Sequence, residues 1–196
     1  MPFSTDVLRI DLAQEAARIE ETIRDIVNHQ LKRRGLVVAL SGGIDSSVCA
    51  TLATRALGAK RVVGLHMPEG ESSTDTLALS SLIARHLGIE SYHEDISAIL
   101  RAARCYERRD ACFRKVIPGY GEGWKSKIVL PSVTDSDSYR IFSVVAQSPT
   151  GEVVTKRLPP EAYLGVVAAS NFKQRTRKMI EYYYADRLNF AVVGTP

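Results

Sequence analysis

The sequence predicts an α/β fold: an open, doubly wound parallel sheet carrying a small β-rich insertion. Three observations predict it, namely short apolar runs bounded by glycines, segments of helical periodicity between them, and a glycine-serine turn directly after the first run. Residues 11–33 set Leu12, Ala16, Ile19, Ile23, Ile26 and Val27 on one helical face, with Asp11 and Gln14 spaced as a capping start and Gly35 as the stop. Residues 36–40 (LVVAL) are apolar throughout, as a parallel strand buried on both faces must be. After the turn, 46–57 reads as a helix, 61–67 as a second buried strand, 74–87 as a helix ending at Gly88, and 89–96 as a third strand. In such a sheet ligands gather at the C-terminal ends of the strands.

Residues 101–160 break this rhythm. A basic, helix-compatible stretch (RAARCYERRDACFRK) leads to KIVLPSV, YRIFSVVAQ and EVVTKRL, β-rich pieces separated by DSDS and SPTG, which predict a small antiparallel meander. Helical pattern returns over 160–188, read as two helices broken near Asn171, and 189–193 reads as the last core strand before Gly194 and Thr195. With 196 residues and 45% apolar content, the expectation is one domain, 1–196, with an inserted subdomain at about 101–160.

Composition excludes several classes. The longest aliphatic run is far too short to cross a bilayer, and the start MPFSTDVLRID is charged where a signal peptide is apolar, so a cytoplasmic protein is expected. Cys49, Cys105 and Cys112 form an odd set without C-x-x-C spacing, and are read as idle thiols. The net charge of +4 is spread along the chain except around 101–115, so a nucleotide satisfies it as well as a nucleic acid does, and nucleic acid is disfavoured.

The chemistry concentrates in Ser41-Gly42-Gly43-Ile44-Asp45-Ser46-Ser47, between a buried strand and a helix. Paired glycines let the backbone approach an anion and aim N–H groups at it, the helix adds its N-terminal dipole, and the hydroxyls of Ser41, Ser46 and Ser47 are further donors. The lysine of a Walker A loop is missing. Asp45 would repel a bare anion, so it makes sense as a ligand of Mg²⁺ that is itself bound to phosphate. The bland alternative, a glycine turn with Asp45 as helix cap, explains neither the paired glycines nor three serines.

SGGIDSS after a buried strand resembles the signature loop of the ATP pyrophosphatases, which implies a Rossmann-like adenine nucleotide α-hydrolase fold and transfer of AMP to a nucleophile. A second motif resembles NAD synthetase: Asn171-Phe172-Lys173-Gln174-Arg175-Thr176-Arg177, with Val192-Val193-Gly194-Thr195 about twenty residues on. In that family Asn-x-x-x-Arg-x-Arg heads a helix and Gly-Thr ends the next strand. The resemblance spans about 8–100 and 160–196. It implies ATP contacts from Leu40, Ser41, Gly42, Gly43, Ile44, Asp45, Ser46, Ser47, Met67 and Thr195, with Met67 beside adenine in His66-Met67-Pro68. It further implies catalytic roles for Asp45, Ser41 and Ser46, Mg²⁺ on Asp45, and deamido-NAD on Arg175. The bland reading of the second motif is a solvated basic helix face; His29, His86 and His93 have no partner in the pattern.

The expected activity is adenylation of a carboxylate, deamido-NAD being favoured, and its transfer to ammonia to give NAD, AMP and pyrophosphate, in a homodimer by family resemblance. Other readings are a related enzyme acting on another carboxylate or on tRNA, and a nucleotide-binding fragment without turnover. Family members continue past Gly-Thr with a second acidic Mg²⁺ ligand and a substrate segment, so this chain is expected to bind ATP but turn over poorly.

Overall fold

A computed structural model of the chain describes residues 9–130 and 142–194, without the side chain of Thr74. The chain forms two compact units, residues 1–97 with 177–196, and residues 98–176.

The first unit begins with α1 (Leu12–Asp25), whose start is capped as its sequence requires: the Asp11 carboxylate accepts from the amides of Ala13 and Gln14, both at 3.0 Å. Its end differs from expectation. The last helical residues, Ile26–Gln30, widen into a π turn, and the chain leaves the helix at Lys32 with φ 52° rather than running to Arg33. The stop is therefore a left-handed lysine, and Gly35 serves a different purpose. A β-carbon at Gly35 would sit 2.3 Å from the carbonyl oxygen of Arg61 and 2.6 Å from the Phe190 ring, so only glycine admits this close approach of neighbouring chain segments.

Strands β1 (Leu36–Ala39), β2 (Val62–His66), β3 (Glu90–His93) and β7 (Ala191–Val193) form one sheet in the order β3-β2-β1-β7. All three pairings are parallel, with Val37 opposite Val63 and Val192, and Gly64 opposite Ser91. The chain builds outward from β1 to β3 and then returns to the other side of β1, so β1 is where strand order reverses. Helices α2 (Ile44–Leu57) and α3 (Thr74–Leu87) make the crossovers. Val27, Leu36, Val38, Leu40, Ala50 and Ala53 belong to one buried cluster, which explains why LVVAL carries no polar residue.

The second unit contains most of α4 (Ser97–Ala102), then α5 (Cys105–Arg114), β4 (Lys125–Val129), β5 (Ser143–Gln147), β6 (Val153–Arg157) and the first part of α6 (Pro160–Leu188). The three strands form the expected antiparallel meander, β4-β5-β6. Val144, Ala146, Leu158, Phe113 and Tyr120 make its core with Ala162 and Val166 of α6. Parts of KIVLPSV and YRIFSVVAQ fall in 131–141, outside the described residues. The expected break near Asn171 is absent: α6 is one helix of 29 residues, and Asn171 lies inside it rather than at its head. Neither glycine nor proline stands near Asn171, so nothing there removes a backbone hydrogen bond. Among the described residues no helix is long and apolar enough to cross a membrane.

Gly35→Ala should lower stability by about 1–3 kcal/mol, the usual cost of forcing extra volume into a packed site. Gly119→Ala, where a β-carbon meets nothing within 4 Å, should stay within about 0.5 kcal/mol. Urea-unfolding midpoints compare the two, and equal midpoints would mean that the close approach at Gly35 relaxes freely.

Candidate functional site

Strand β1 ends at Ala39, and Leu40 then donates its amide to the carbonyl of Leu65 on β2. Leu40 is buried, its side chain lying where a β-carbon on Gly64 would otherwise be, so the loop that follows is anchored at its root. Gly42 has φ 76°, and a β-carbon there would meet the carbonyl oxygen of Thr76 at 2.9 Å and Leu79 at 3.0 Å on α3. Both the backbone angle and the space therefore demand glycine.

Gly43 opens α2 with no side-chain cap, unlike α3, whose first turn is capped by the Ser73 hydroxyl on the amide of Thr76. An uncapped helix start presents unsatisfied N–H groups and the positive end of the helix dipole. The serines are occupied within the loop. Ser46 and Ser47 donate to the carbonyl of Gly43 at 3.1 and 2.8 Å, so the 3.0 Å contact between Ser41 and Ser46 has Ser41 as donor. The amide of Gly43 donates to Ser41 Oγ at 3.3 Å. In this state the hydroxyls hold the loop's shape, and its backbone amides are the groups open to an anion.

Asp45 is exposed in the first turn of α2 and makes no hydrogen bond or ion pair among the described residues. A free carboxylate beside uncapped amides suits a hard cation that also binds phosphate oxygens, since Mg²⁺ usually takes one or two carboxylates and keeps the rest of its shell for water and phosphate. Among the described residues no group of three or more His, Cys, Asp or Glu side chains is placed to cage a metal. Cys49 lies one turn further along α2, where burial and the charge of Asp45 push its thiol up, the reverse of an activated nucleophile.

Met67 is buried just beyond β2. His66, at the end of β2, is buried too, and its Nδ1 lies 2.9 Å from Ser80 Oγ. Residues 15–115 match the family model described as NAD synthase. The chain belongs to the NAD synthase family.

Relatives within that family include the NH3-dependent NAD⁺ synthetase of Rhizobium meliloti strain 1021, 54% identical over 194 residues, and that of Rhizobium rhizogenes strain K84, 50% identical over 193. These matches cover 99% and 98% of this chain but 58% of each relative, so the chain spans under two thirds of their length. Both alignments are long enough to include most of 101–160, which these members of the NAD synthase family therefore share. Among solved structures, the NH3-dependent NAD synthetase from Campylobacter jejuni is similar over 96% of this chain and 58% of its own, with TM-score 0.60 and 23% identity, a likeness of fold.

The NAD synthase match stops at 115, before the Asn171–Arg177 motif. Arg175 is exposed on α6 in the second unit, and Thr195 lies outside the described residues. Sequence reasoning missed Glu181, which is 1% exposed and paired to Lys178 Nζ at 2.7 Å. Burial pushes its carboxyl above the ordinary range despite Lys178 and Arg177. A helix carrying Arg-Thr-Arg gives no signal that a carboxylate one turn later faces inward.

Glu181 sets a pH dependence. Its pKa is raised in the folded chain, so its contribution to stability is full below the ordinary carboxylate range and is lost as pH rises through the raised folded value. Glu181→Gln should flatten the fall of the unfolding midpoint as pH rises above the ordinary carboxylate range. Parallel profiles for variant and parent would show that the burial of this carboxyl does not govern stability.

Proposed function

We propose that the chain is the ATP-binding part of an ammonia-dependent NAD synthetase, a ligase that adenylates the carboxylate of deamido-NAD. The observation that carries this is the Ser41–Ser47 loop at the strand-order reversal, with left-handed Gly42 pressed on α3 and the start of α2 uncapped. A carboxylate oxygen of the substrate attacks the α-phosphorus of ATP and pyrophosphate leaves. Ammonia then attacks the acyl carbon, and AMP leaves with the electrons of the broken C–O bond.

In this reading the amides after Gly43 receive the leaving pyrophosphate, while Gly42 and Gly43 let it come close to the backbone. Ser41 and Ser46 keep the loop in shape, and Ser47 fastens it to α2. Asp45 would hold Mg²⁺, which supplies positive charge for the leaving group. Leu40, Ile44 and Met67 form the apolar bed of the nucleoside, with Met67 beside adenine; Thr195 is assigned an ATP contact by its family position. Arg175 binds a phosphate or carboxylate of deamido-NAD, as a guanidinium can do bidentately without losing its charge. The whole chain, 1–196, is read as one ATP pyrophosphatase-type domain carrying a subdomain at about 101–160, cytoplasmic and acting as a homodimer.

The cysteines give the tRNA-thiolating alternative no support. Cys105 donates to the carbonyl of Ala169 at 3.3 Å, and a β-carbon on Gly165 would fall 2.4 Å from the Cys112 sulfur. Both thiols of α5 are packing groups against α6.

Asp45→Asn should abolish Mg²⁺-dependent nucleotide affinity without unfolding the chain, because the side chain is exposed. Calorimetric titration of MgATP into variant and parent decides this, and equal affinities would remove Asp45 from the metal role. Arg175→Ala should weaken deamido-NAD by about 1.5–3 kcal/mol and leave ATP alone. If ATP affinity falls while dinucleotide affinity holds, the assignment of Arg175 fails.

A further inference from the structure

The first unit holds a cavity of about 410 Å³ that the Ser41–Ser47 loop does not line. It runs between α3 and the edge strand β3, where Ile89, just before the strand, and Ser91 and His93 within it line the space, giving a slot about 13 Å long at the usual strand rise. From α3 it receives Leu77, Ser81, Ala84 and Arg85. The loop meets α3 elsewhere, at Thr76, Leu79 and Ser80. At 100° per residue the two sets of contacts lie on faces of α3 roughly 130° apart, so a nucleotide on the loop would not fill the slot.

Its two ends differ in chemistry. Arg85 stands at the C-terminal end of α3 and makes no ion pair among the described residues. It is not needed as a cap there, because the amides of Gly88 and Ile89 already take the carbonyls of Arg85 and Ala84 at 3.1 and 3.2 Å. At the other end lies His66. With the Ser80 hydroxyl donating to the carbonyl of Leu77 at 3.1 Å, its oxygen accepts from His66 Nδ1–H in their 2.9 Å contact. Nε2 is then left as the bare acceptor of the ring. Burial and the neighbouring His93 push the His66 pKa down, which keeps that lone pair free at neutral pH. Ser81 and Ser91 hydroxyls line the middle, with Ala84 and Ile89 as apolar surface. Among the described residues no carboxylate lines the cavity, and the nearby acids Glu90 and Glu94 accept from the hydroxyls of Tyr92 and Tyr184.

We propose that this slot is a second ligand site, for a small rod-shaped organic anion whose acid group meets Arg85 and whose other end donates a hydrogen bond to His66 Nε2. Its size is that of an ordinary small-molecule pocket. The proposal stands whether or not the ligase reading does, because it uses none of the loop's residues.

The probe is 4-aminobenzoate, with benzoate lacking the donor and aniline lacking the anion, each titrated to millimolar concentration into the isotope-labelled 196-residue chain and followed by amide and histidine-ring NMR. The expected result is saturable shifts at His66, Ser81, Arg85, Ser91 and His93, with benzoate and aniline at least about tenfold weaker, the loss of one charged or one buried hydrogen bond. Arg85→Ala should weaken 4-aminobenzoate by about tenfold. Ser81→Leu should block the slot while the amide spectrum stays folded, and MgATP should leave the probe's affinity unchanged. Should Ser81→Leu not fold, Arg85→Ala decides alone, since Arg85 is exposed. Absence of saturable shifts, unchanged affinity in Arg85→Ala, or displacement of the probe by MgATP each overturns the proposal; displacement would assign the slot to the nucleotide.

Discussion

Strand β1 is hydrogen-bonded along both edges and buried on both faces, and the arrangement of the first unit depends on it. A strand so placed can carry only apolar side chains, since a polar group there would lose water without gaining a partner. It can also leave the core in only one way. Its C-terminal end emerges between β2 and β7, where strand order reverses, and the chain must turn sharply into α2 without filling the crevice. Gly42 and Gly43 follow from that constraint, and the uncapped start of α2 is the exposed polar surface that results.

The loop's electrostatics follow from the same geometry. With the serine protons committed to the loop itself, the positive character of the site comes from the dipoles of backbone amides, which do not titrate. Asp45 adds a free negative charge to this field, and one turn along α2 burial first, and the charge of Asp45 after it, push the Cys49 thiol up. A site of this kind favours an anion that brings its own cation.

The second unit is built on different physics. Its meander is short and half-exposed, and its stability comes from an aromatic and aliphatic cluster of Phe113, Tyr120, Val144, Leu158 and Val166 between strands and helices. Helix α5 reaches α6 through small residues, with Cys112 against Gly165 and Cys105 bonded to Ala169, so that two residues of chemical interest by type are structural by position. Arg108 lies over the Phe172 ring at 5.6 Å, one way in which the basic stretch is absorbed within the protein.

The sequence by itself determined the elements whose pattern is imposed by burial or by backbone geometry. LVVAL reads as a central strand because it is short, apolar throughout and closed by glycine turns; Asp11 announced the start of α1; SGGIDSS announced an anion-binding turn; and β-rich pieces separated by turn residues announced the meander. Tertiary structure decided what depends on partners remote in sequence. Helix α6 runs unbroken because intact backbone bonding outweighs the local change of composition at Asn171. Lys32 rather than Gly35 ends the first helical segment, since Gly35 is claimed by Arg61 and Phe190 from elsewhere in the chain. Glu181 is buried by the way α6 faces its surroundings, and the tautomer of His66 is set by a serine fourteen residues away whose own proton goes to Leu77. These are choices between competing contacts, and a linear pattern holds no record of which contact wins.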